Sequence, residues 1–400
     1  MTVPRVAVVS DLREERWYAM DLVAEMLLIN LRASEANVVE ATPVCPEMTR
    51  RLTRLPVVGT TAAATTADRI WNRVWDYPRR LRARATDFDL FHVIDHSYAH
   101  LVTWLPPGRA LVTCHDLDAF RSVLAEAGGS IVERALGRRL LEGMRAARKI
   151  LAVSAATRNE LVATGVASPD QVVIVPNGVH PACSPRSDPV ADREAAALLG
   201  PISGDAVELL HVGSTIPRKR LDVLLRAVAA LRQISPRVRL VQVGGSLTAS
   251  QRGLAERLEL NDHVVVLPFV APRVLASVYR RATLLLQTSD REGFGLPVAE
   301  ALSCGTPVVA SDLPALREVG GPATTFCRVG DVESWRAAVL ALLEERTTWP
   351  ERRRRRRADG LDWARRFDWR AHARATVEVY RELFSSATAA HADSESRRAS

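Results

Sequence analysis

LLLQTSDREGFGLPVAEALSCG, residues 284–305, joins a short apolar run to a loop with two glycines and then to a helix expected to start near Pro297. An apolar run as short as Leu284–Gln287 suits a strand buried on both faces, as in a parallel sheet. Pro fits a first helical turn, where its missing N–H would have no intrahelical partner. The same unit repeats outward in both directions. Further candidate strands are Val6–Val9, Val38–Glu40, Leu90–Ile94, Ala110–Cys114, Ile150–Val153 and Val172–Val175. Beyond residue 205 come Glu208–Val212, Val238–Val243, Val264–Leu267, Pro307–Ala310 and Thr324–Cys327. The stretches between them have helical spacing: Leu221, Leu224, Leu225, Val228 and Leu231 fall on one helical face. Alternating β and α elements predict an α/β protein with doubly wound sheets. The alternation runs twice, and the Pro-, Ser- and charge-rich HPACSPRSDPVADREAAALLGPISGD separates the halves.

A chain of 400 residues has room for two such domains, each with its own core. Its 47% hydrophobic and 25% charged residues exclude a disordered, collagenous or coiled-coil protein. No apolar run approaches the ~18–20 residues that cross a bilayer. MTVPRVAVVS leads straight into a strand without a leader pattern, and the five cysteines are scattered with no CxxC pair. The expectation is a reduced, cytoplasmic protein without disulfides. The net charge is +8, carried by 52 Arg and only two Lys, Lys149 and Lys219.

Within the opening stretch, Glu292 and Glu300 are separated by seven residues, with Gly293 and Gly295 near the helix start. The N–H groups of such a loop can bind phosphate or sugar oxygens. A carboxylate before the loop can hold sugar hydroxyls, and one about two turns later can reach a ribose. The same pattern also fits two solvated glutamates around a βα turn. Gly293-Phe294-Gly295 imitates the start of a dinucleotide fingerprint, but a third glycine in register is missing.

HVGSTIPRKR, residues 211–220, is the second informative segment. Gly213 allows a close approach at a strand's carboxyl end, where open α/β sheets bind ligands. Arg218 and Lys219 follow as cations able to neutralise a diphosphate; a solvated basic turn is the plainer alternative. In the third segment, VTCHDLDAF (112–120), His115 directly follows a strand. It can bond a substrate hydroxyl or a developing charge, or be structural. Asp116-Leu-Asp118 and Asp87-Phe-Asp89 match a D-x-D pattern that arises easily by chance, and no metal is expected.

Taken together, these segments resemble the retaining glycosyltransferases of family 4. The ordered landmarks are His115-Asp116, Pro176-Asn177-Gly178-Val179, Val212-Gly213 to Arg218-Lys219, and Glu292 to Glu300. Gly305-Thr-Pro-Val-Val-Ala-Ser311 and Arg317-Glu318-Val319 continue the likeness, which is strongest over 205–380. The resemblance implies a GT-B fold: two Rossmann-like domains facing across a cleft, residues 1–185 for the acceptor and 186–360 for the nucleotide sugar. It also implies a helix over 361–385 that crosses back onto the first domain; composition makes 386–400 a disordered tail. The implied activity is metal-independent transfer of a sugar from a nucleoside-diphosphate sugar, of UDP-glucose or GDP-mannose type, to an unknown acceptor hydroxyl with retention. A nucleotide-sugar hydrolase or epimerase is the alternative with the same donor site. By the same resemblance Arg218 and Lys219 hold the diphosphate, and Glu300 the ribose. Glu292 and the backbone of Gly293, Phe294, Gly295 and Leu296 hold the sugar and phosphates. Val270 faces the base through its backbone, and His115 lies near the reacting sugar. Two departures stand out: Ser10–Trp17 replaces a glycine-rich first loop, and Pro268-Phe269 precedes Val270.

Two basic stretches remain. Arg69–Arg84 holds six Arg, one Asp, two Trp and a Tyr. Trp71 and Trp75, four apart, are expected in the core of an ordinary surface helix. The other reading is weak peripheral contact with an anionic inner-membrane surface. Arg352–Arg357 is six consecutive arginines without a recognition motif, expected as a solvated face; a basic nucleic-acid-binding protein is the alternative function of a different class.

Overall fold

The computed structural model describes residues 3–15, 17–124, 131–201 and 206–399, leaving aside the side chains of 122, 132 and 386–399. The chain forms two compact units, one of Met1–Gly178 with Trp369–Ser400 and one of Val179–Asp368.

The first unit holds a six-stranded parallel sheet in the order β2-β1-β3-β4-β5-β6. Its strands are β1 (Arg5–Val9), β2 (Glu40–Val44), β3 (Leu90–Val93), β4 (Ala110–Cys114), β5 (Lys149–Ala152) and β6 (Val172–Ile174). Alternate residues of β1 feed two cores: Val6 and Val8 on one face, Ala7 and Val9 on the other. Burial of that kind is worth about 1.5–3 kcal/mol per large aliphatic side chain. The second strand corrects the sequence, which suggested Val38–Glu40. It lies at the sheet's edge, where a half-exposed EATPV carries no apolar run to betray it. There Pro43 fits because an edge strand can spare one N–H.

Helix α1 (Tyr18–Ser34) covers one face. Helices α2 (Ala62–Trp71) and α3 (Tyr77–Ala83) are joined by a π-helical turn, Asn72–Asp76. The buried positions run Ala64, Asp68, Asn72, then Tyr77 and Leu81, so the π turn inserts one residue into the spacing. That face is part polar. Asp68 accepts N–H bonds from Arg51, Leu52 and Thr53 at 2.9–3.0 Å, and Asn72 is bonded to Thr49. Trp71 and Trp75 are consequently turned outward, 51% and 41% exposed, which corrects their expected place in the core.

The second unit repeats the design with the order β12-β11-β10-β7-β8-β9. Its strands are β7 (Val207–Val212), β8 (Val238–Val243), β9 (Val264–Leu267), β10 (Leu284–Gln287), β11 (Val308–Ser311) and β12 (Thr325–Cys327). Its helices include α4 (Leu221–Arg232), α5 (Pro272–Arg281), α6 (Leu296–Cys304) and α7 (Pro350–Ala364). The face of α4 read from the sequence is buried, with Leu224, Leu225, Val228 and Leu231 each at 0% exposure.

The helix expected over 361–385 is in fact two: α7 ends at Ala364, and α8 spans Trp369–Ala399. The break accommodates Phe367, which is buried edge-to-face on Phe294 within the second unit. The aromatic residues of α8 serve the first unit. Trp369, Val377 and Tyr380 enter its core, and the Tyr380 hydroxyl bonds His92 Nδ1 at 2.7 Å. Helical backbone continues past residue 385, where the sequence suggested a tail; those side chains lie outside the described residues. Among the described residues no helix is long and apolar enough to cross a membrane.

Candidate functional site

In the second sheet the chain order reverses between the adjacent strands β7 and β10. The loops leaving such a pair part, and the crevice between them is the usual ligand site of an open α/β sheet. Two bonds tie those loops together: Asp290 N–H to Arg218 O at 2.9 Å and Thr288 Oγ1 to Lys219 O at 2.9 Å. Gly213 follows β7 with φ +150°, and a Cβ there would come 3.5 Å from Lys219 Cε. The Gly213 carbonyl accepts from Gln242 Nε2 at 2.8 Å, and Gln242 Oε1 bonds His211 Nδ1 at 2.6 Å.

Arg218, Lys219 and Glu292, named from distant segments, meet here. Lys219 Nζ lies 2.5 Å from Glu292 Oε1, and Arg218 Nη1 lies 3.2 Å from Oε2. Gln287 Nε2 and Ser289 Oγ also donate to Oε1, each at 2.7 Å. Burial alone would raise the pKa of Glu292, but Lys219 and Arg218 outweigh it and bring it down to about 2. The carboxylate is thus ionised and already holds four donors, two of them cations. Gln287 and Ser289 were missed in the sequence. Their signal is the polar QTS that interrupts an apolar strand at its carboxyl end.

Glu300 sits on α6 in a different environment. Tyr279 on α5 donates its hydroxyl to Glu300 Oε2 at 2.8 Å. Burial pushes the carboxyl up to about 7, against that hydrogen bond. The two glutamates of the seven-residue spacing are therefore opposites, one fixed as an anion by cations and one near its midpoint at neutral pH. Gly295 caps α6 with φ +95°, and a Cβ would lie 2.4 Å from Leu316 Cδ2. The amino end of α6 beside Gly293–Leu296 favours an anion. The ring of Phe294 is buried, so only its backbone is available to a ligand. Val270 lies between β9 and α5, at the carboxyl side of the sheet.

In the first unit, the loops after β1, β3 and β4 carry a buried polar group. His96 lies 3.1 Å from Asp95 through Nδ1 and 3.4 Å from Asp116 through Nε2. Burial opposes its charge, but the two carboxylates prevail and push its pKa up to about 10. Burial and neighbouring Asp95 raise Asp11, which stands in the Ser10–Trp17 loop; Arg16 of that loop lies outside the described residues. His115 is buried beside this group with Nε2 2.9 Å from the Ile94 carbonyl, and desolvation keeps it neutral. Asp118 pairs with Arg121, Asp87 with Arg84, and Asp89 accepts from the Arg5 N–H. Among the described residues no cluster of His, Cys, Asp and Glu could hold a metal ion.

Two Rossmann-like units, each a six-stranded parallel sheet, make this a GT-B fold. Residues 24–182 match the family described as Glycosyltransferase Family 4, and residues 200–360 match Glycosyl transferases group 1. A D-inositol 3-phosphate glycosyltransferase of Nocardia farcinica is 32% identical over 75% of this chain and 68% of its own. A protein of the same description from Kineococcus radiotolerans is 38% identical over 59% of this chain, and the match spans 57% of that protein's length. The solved structure of Anabaena HepE in complex with UDP-glucose superposes with a TM-score of 0.70 at 17% identity, covering 95% of this chain and 100% of that one. The chain belongs to the family 4 glycosyltransferases.

Proposed function

We propose that the protein transfers a hexosyl group from a nucleoside-diphosphate sugar to an acceptor hydroxyl, with retention of configuration and without a divalent metal. The observation that carries this reading is the meeting of Arg218, Lys219 and Glu292 at the strand-order reversal of the second sheet, beside the amino end of α6. Arg218 and Lys219 would take the diphosphate and stabilise the charge that develops on the leaving group. A diphosphate entering this crevice competes with Glu292 for both cations and frees the carboxylate toward the sugar. Glu300 would hold the ribose, and the backbone near Val270 would face the base. His115, uncharged and with its ring proton on Nε2 toward the Ile94 carbonyl, would accept a bond from a sugar hydroxyl through Nδ1 and transfer no proton. The UDP-glucose bound by the Anabaena structure supports a donor of this chemical class.

The test is a panel of UDP- and GDP-sugars with candidate acceptors, reading nucleotide release and the anomeric configuration of the product by NMR. Activity should persist in EDTA. Complete loss in EDTA with recovery on adding Mn²⁺ refutes the metal-free mechanism. Nucleotide release that no acceptor accelerates replaces transfer with hydrolysis.

A further inference from the structure

The outward-facing tryptophans lie in the first unit and are not among the residues assigned to the donor site of the second. Their ring centroids are 6.3 Å apart. Ile70 of α2 is 48% exposed, and Leu55 and Val57 of the neighbouring loop are 49% and 83% exposed. The three N–H bonds to Asp68 anchor this loop at Arg51, Leu52 and Thr53, so the fold itself presents the apolar residues outward. Single exposed apolar residues are ordinary, but a contiguous group with a rim of one charge marks an interaction surface.

The rim is predominantly basic, with Glu15 paired to Arg69 and Arg73. Residues 50–84 contain nine Arg and two Asp, a net +7 in a chain whose total is +8. Both acids are consumed within the fold, Asp68 by the loop and Asp76 by Arg51 at 2.7 Å. Arg50, Arg54, Arg79 and Arg82 are exposed, and among the described residues none of them pairs with a carboxylate. The Arg79 guanidinium lies 3.7 Å above the centre of the Trp75 ring, cation and indole facing solvent together. We propose that this face of the first unit docks on an anionic lipid bilayer. The arginines meet headgroup phosphates, and Trp71 and Trp75 enter the boundary between headgroups and acyl chains. Indoles favour that boundary, and clustered arginines are drawn to its negative potential. A nucleic-acid duplex would satisfy the arginines and leave the apolar group without a counterpart.

The full chain should sediment with vesicles of phosphatidylcholine and phosphatidylglycerol at low salt and stay in solution with phosphatidylcholine alone. About 0.5 M salt should release it. Replacing Arg50, Arg54, Arg79 and Arg82 together by Ala should weaken partition by at least ~10²-fold. Trp71→Ala with Trp75→Ala should weaken it ~10-fold. A second readout compares wild type with the double tryptophan variant: lipids brominated near the headgroup should quench wild-type fluorescence, and Trp71→Ala with Trp75→Ala should abolish most of that quenching even though Trp17 and Trp349 are also exposed. Equal binding to both kinds of vesicle, no quenching, or binding that survives both sets of substitutions overturns the proposal. So does tighter binding to duplex DNA through the same arginines with no effect of the tryptophans.

Discussion

At the scale of single residues, Glu292 and Glu300 make different predictions because their surroundings set opposite charges. Glu292→Gln removes the counter-charge of two nearly buried cations, Lys219 and Arg218. The free protein should lose about 3–5 kcal/mol of stability, the usual cost of breaking a buried pair. Bound UDP or GDP should restore much of it by supplying the missing anion, so nucleoside-diphosphate affinity should hold or tighten. Turnover should fall ~10²-fold, about 2.7 kcal/mol of barrier. A loss of diphosphate affinity in this variant, measured by calorimetry, contradicts the arrangement. Glu300 titrates near 7 in the folded protein against a usual 4.5. The folded state therefore holds a proton that the unfolded chain gives up between those values. The stability this contributes is fully present below about pH 4.5 and is lost as pH rises through 7, on the order of 3 kcal/mol in all. Glu300→Gln should flatten that slope in urea titrations. Ribose hydroxyls donating to Glu300 favour its ionised form, so nucleotide binding near pH 6.5 should release a proton. Calorimetry in buffers of different ionisation enthalpy measures it, and proton uptake, or release unchanged in Glu300→Gln, removes Glu300 from the ribose.

At the scale of elements, the β7 and β10 loops act as one unit, since a backbone bond from Asp290 to Arg218 and a hydroxyl bond from Thr288 to the Lys219 carbonyl join them. Arg218→Ala and Lys219→Ala should each weaken nucleoside-diphosphate binding by ~2–5 kcal/mol, the range for truncating a buried charged partner. Unchanged affinity in both would return this segment to a solvated basic turn. Most strands were legible because strands buried on both faces are continuous apolar runs, as in Leu284–Gln287 and Ala110–Cys114. The edge strand Glu40–Val44 was not, since half of it faces outward. The meeting of Arg218, Lys219 and Glu292 was implied by motif, yet its supports were hidden. Gln287, Ser289 and Tyr279 are ordinary strand, loop and helix residues until the fold turns them toward a carboxylate. The face containing Trp71 and Trp75 was misread for a related reason. Asp68 and Asn72 occupy the buried side of that helix, so its inward face is not the apolar one, and a π turn breaks the usual period.

At the scale of the whole molecule, each unit has its own buried core, so each should unfold as its own cooperative transition. Two perturbations should then address them separately. Gly178, in Pro176-Asn177-Gly178-Val179, lies against the backbone of Trp369, and a Cβ there would come 2.4 Å from the Trp369 nitrogen. Neither backbone can yield cheaply, because the Trp369 ring is buried in the core of the first unit. Gly178→Ala should cost that unit about 1–3 kcal/mol, the range for overpacking. Its transition should fall by several degrees in scanning calorimetry while the other stays in place. A nucleoside diphosphate at about 100 times its Kd should add about 2.7 kcal/mol to whichever unit binds it. With 190 residues in Val179–Asp368, that is a rise of roughly 5–10 °C. The expected pattern is one transition lowered by Gly178→Ala and the other raised by nucleotide, with neither affected by both. If nucleotide raises the transition that Gly178→Ala lowers, the diphosphate is held by the first unit. The pairing of Arg218 and Lys219 with Glu292 would then be a structural ion cluster and not a donor site.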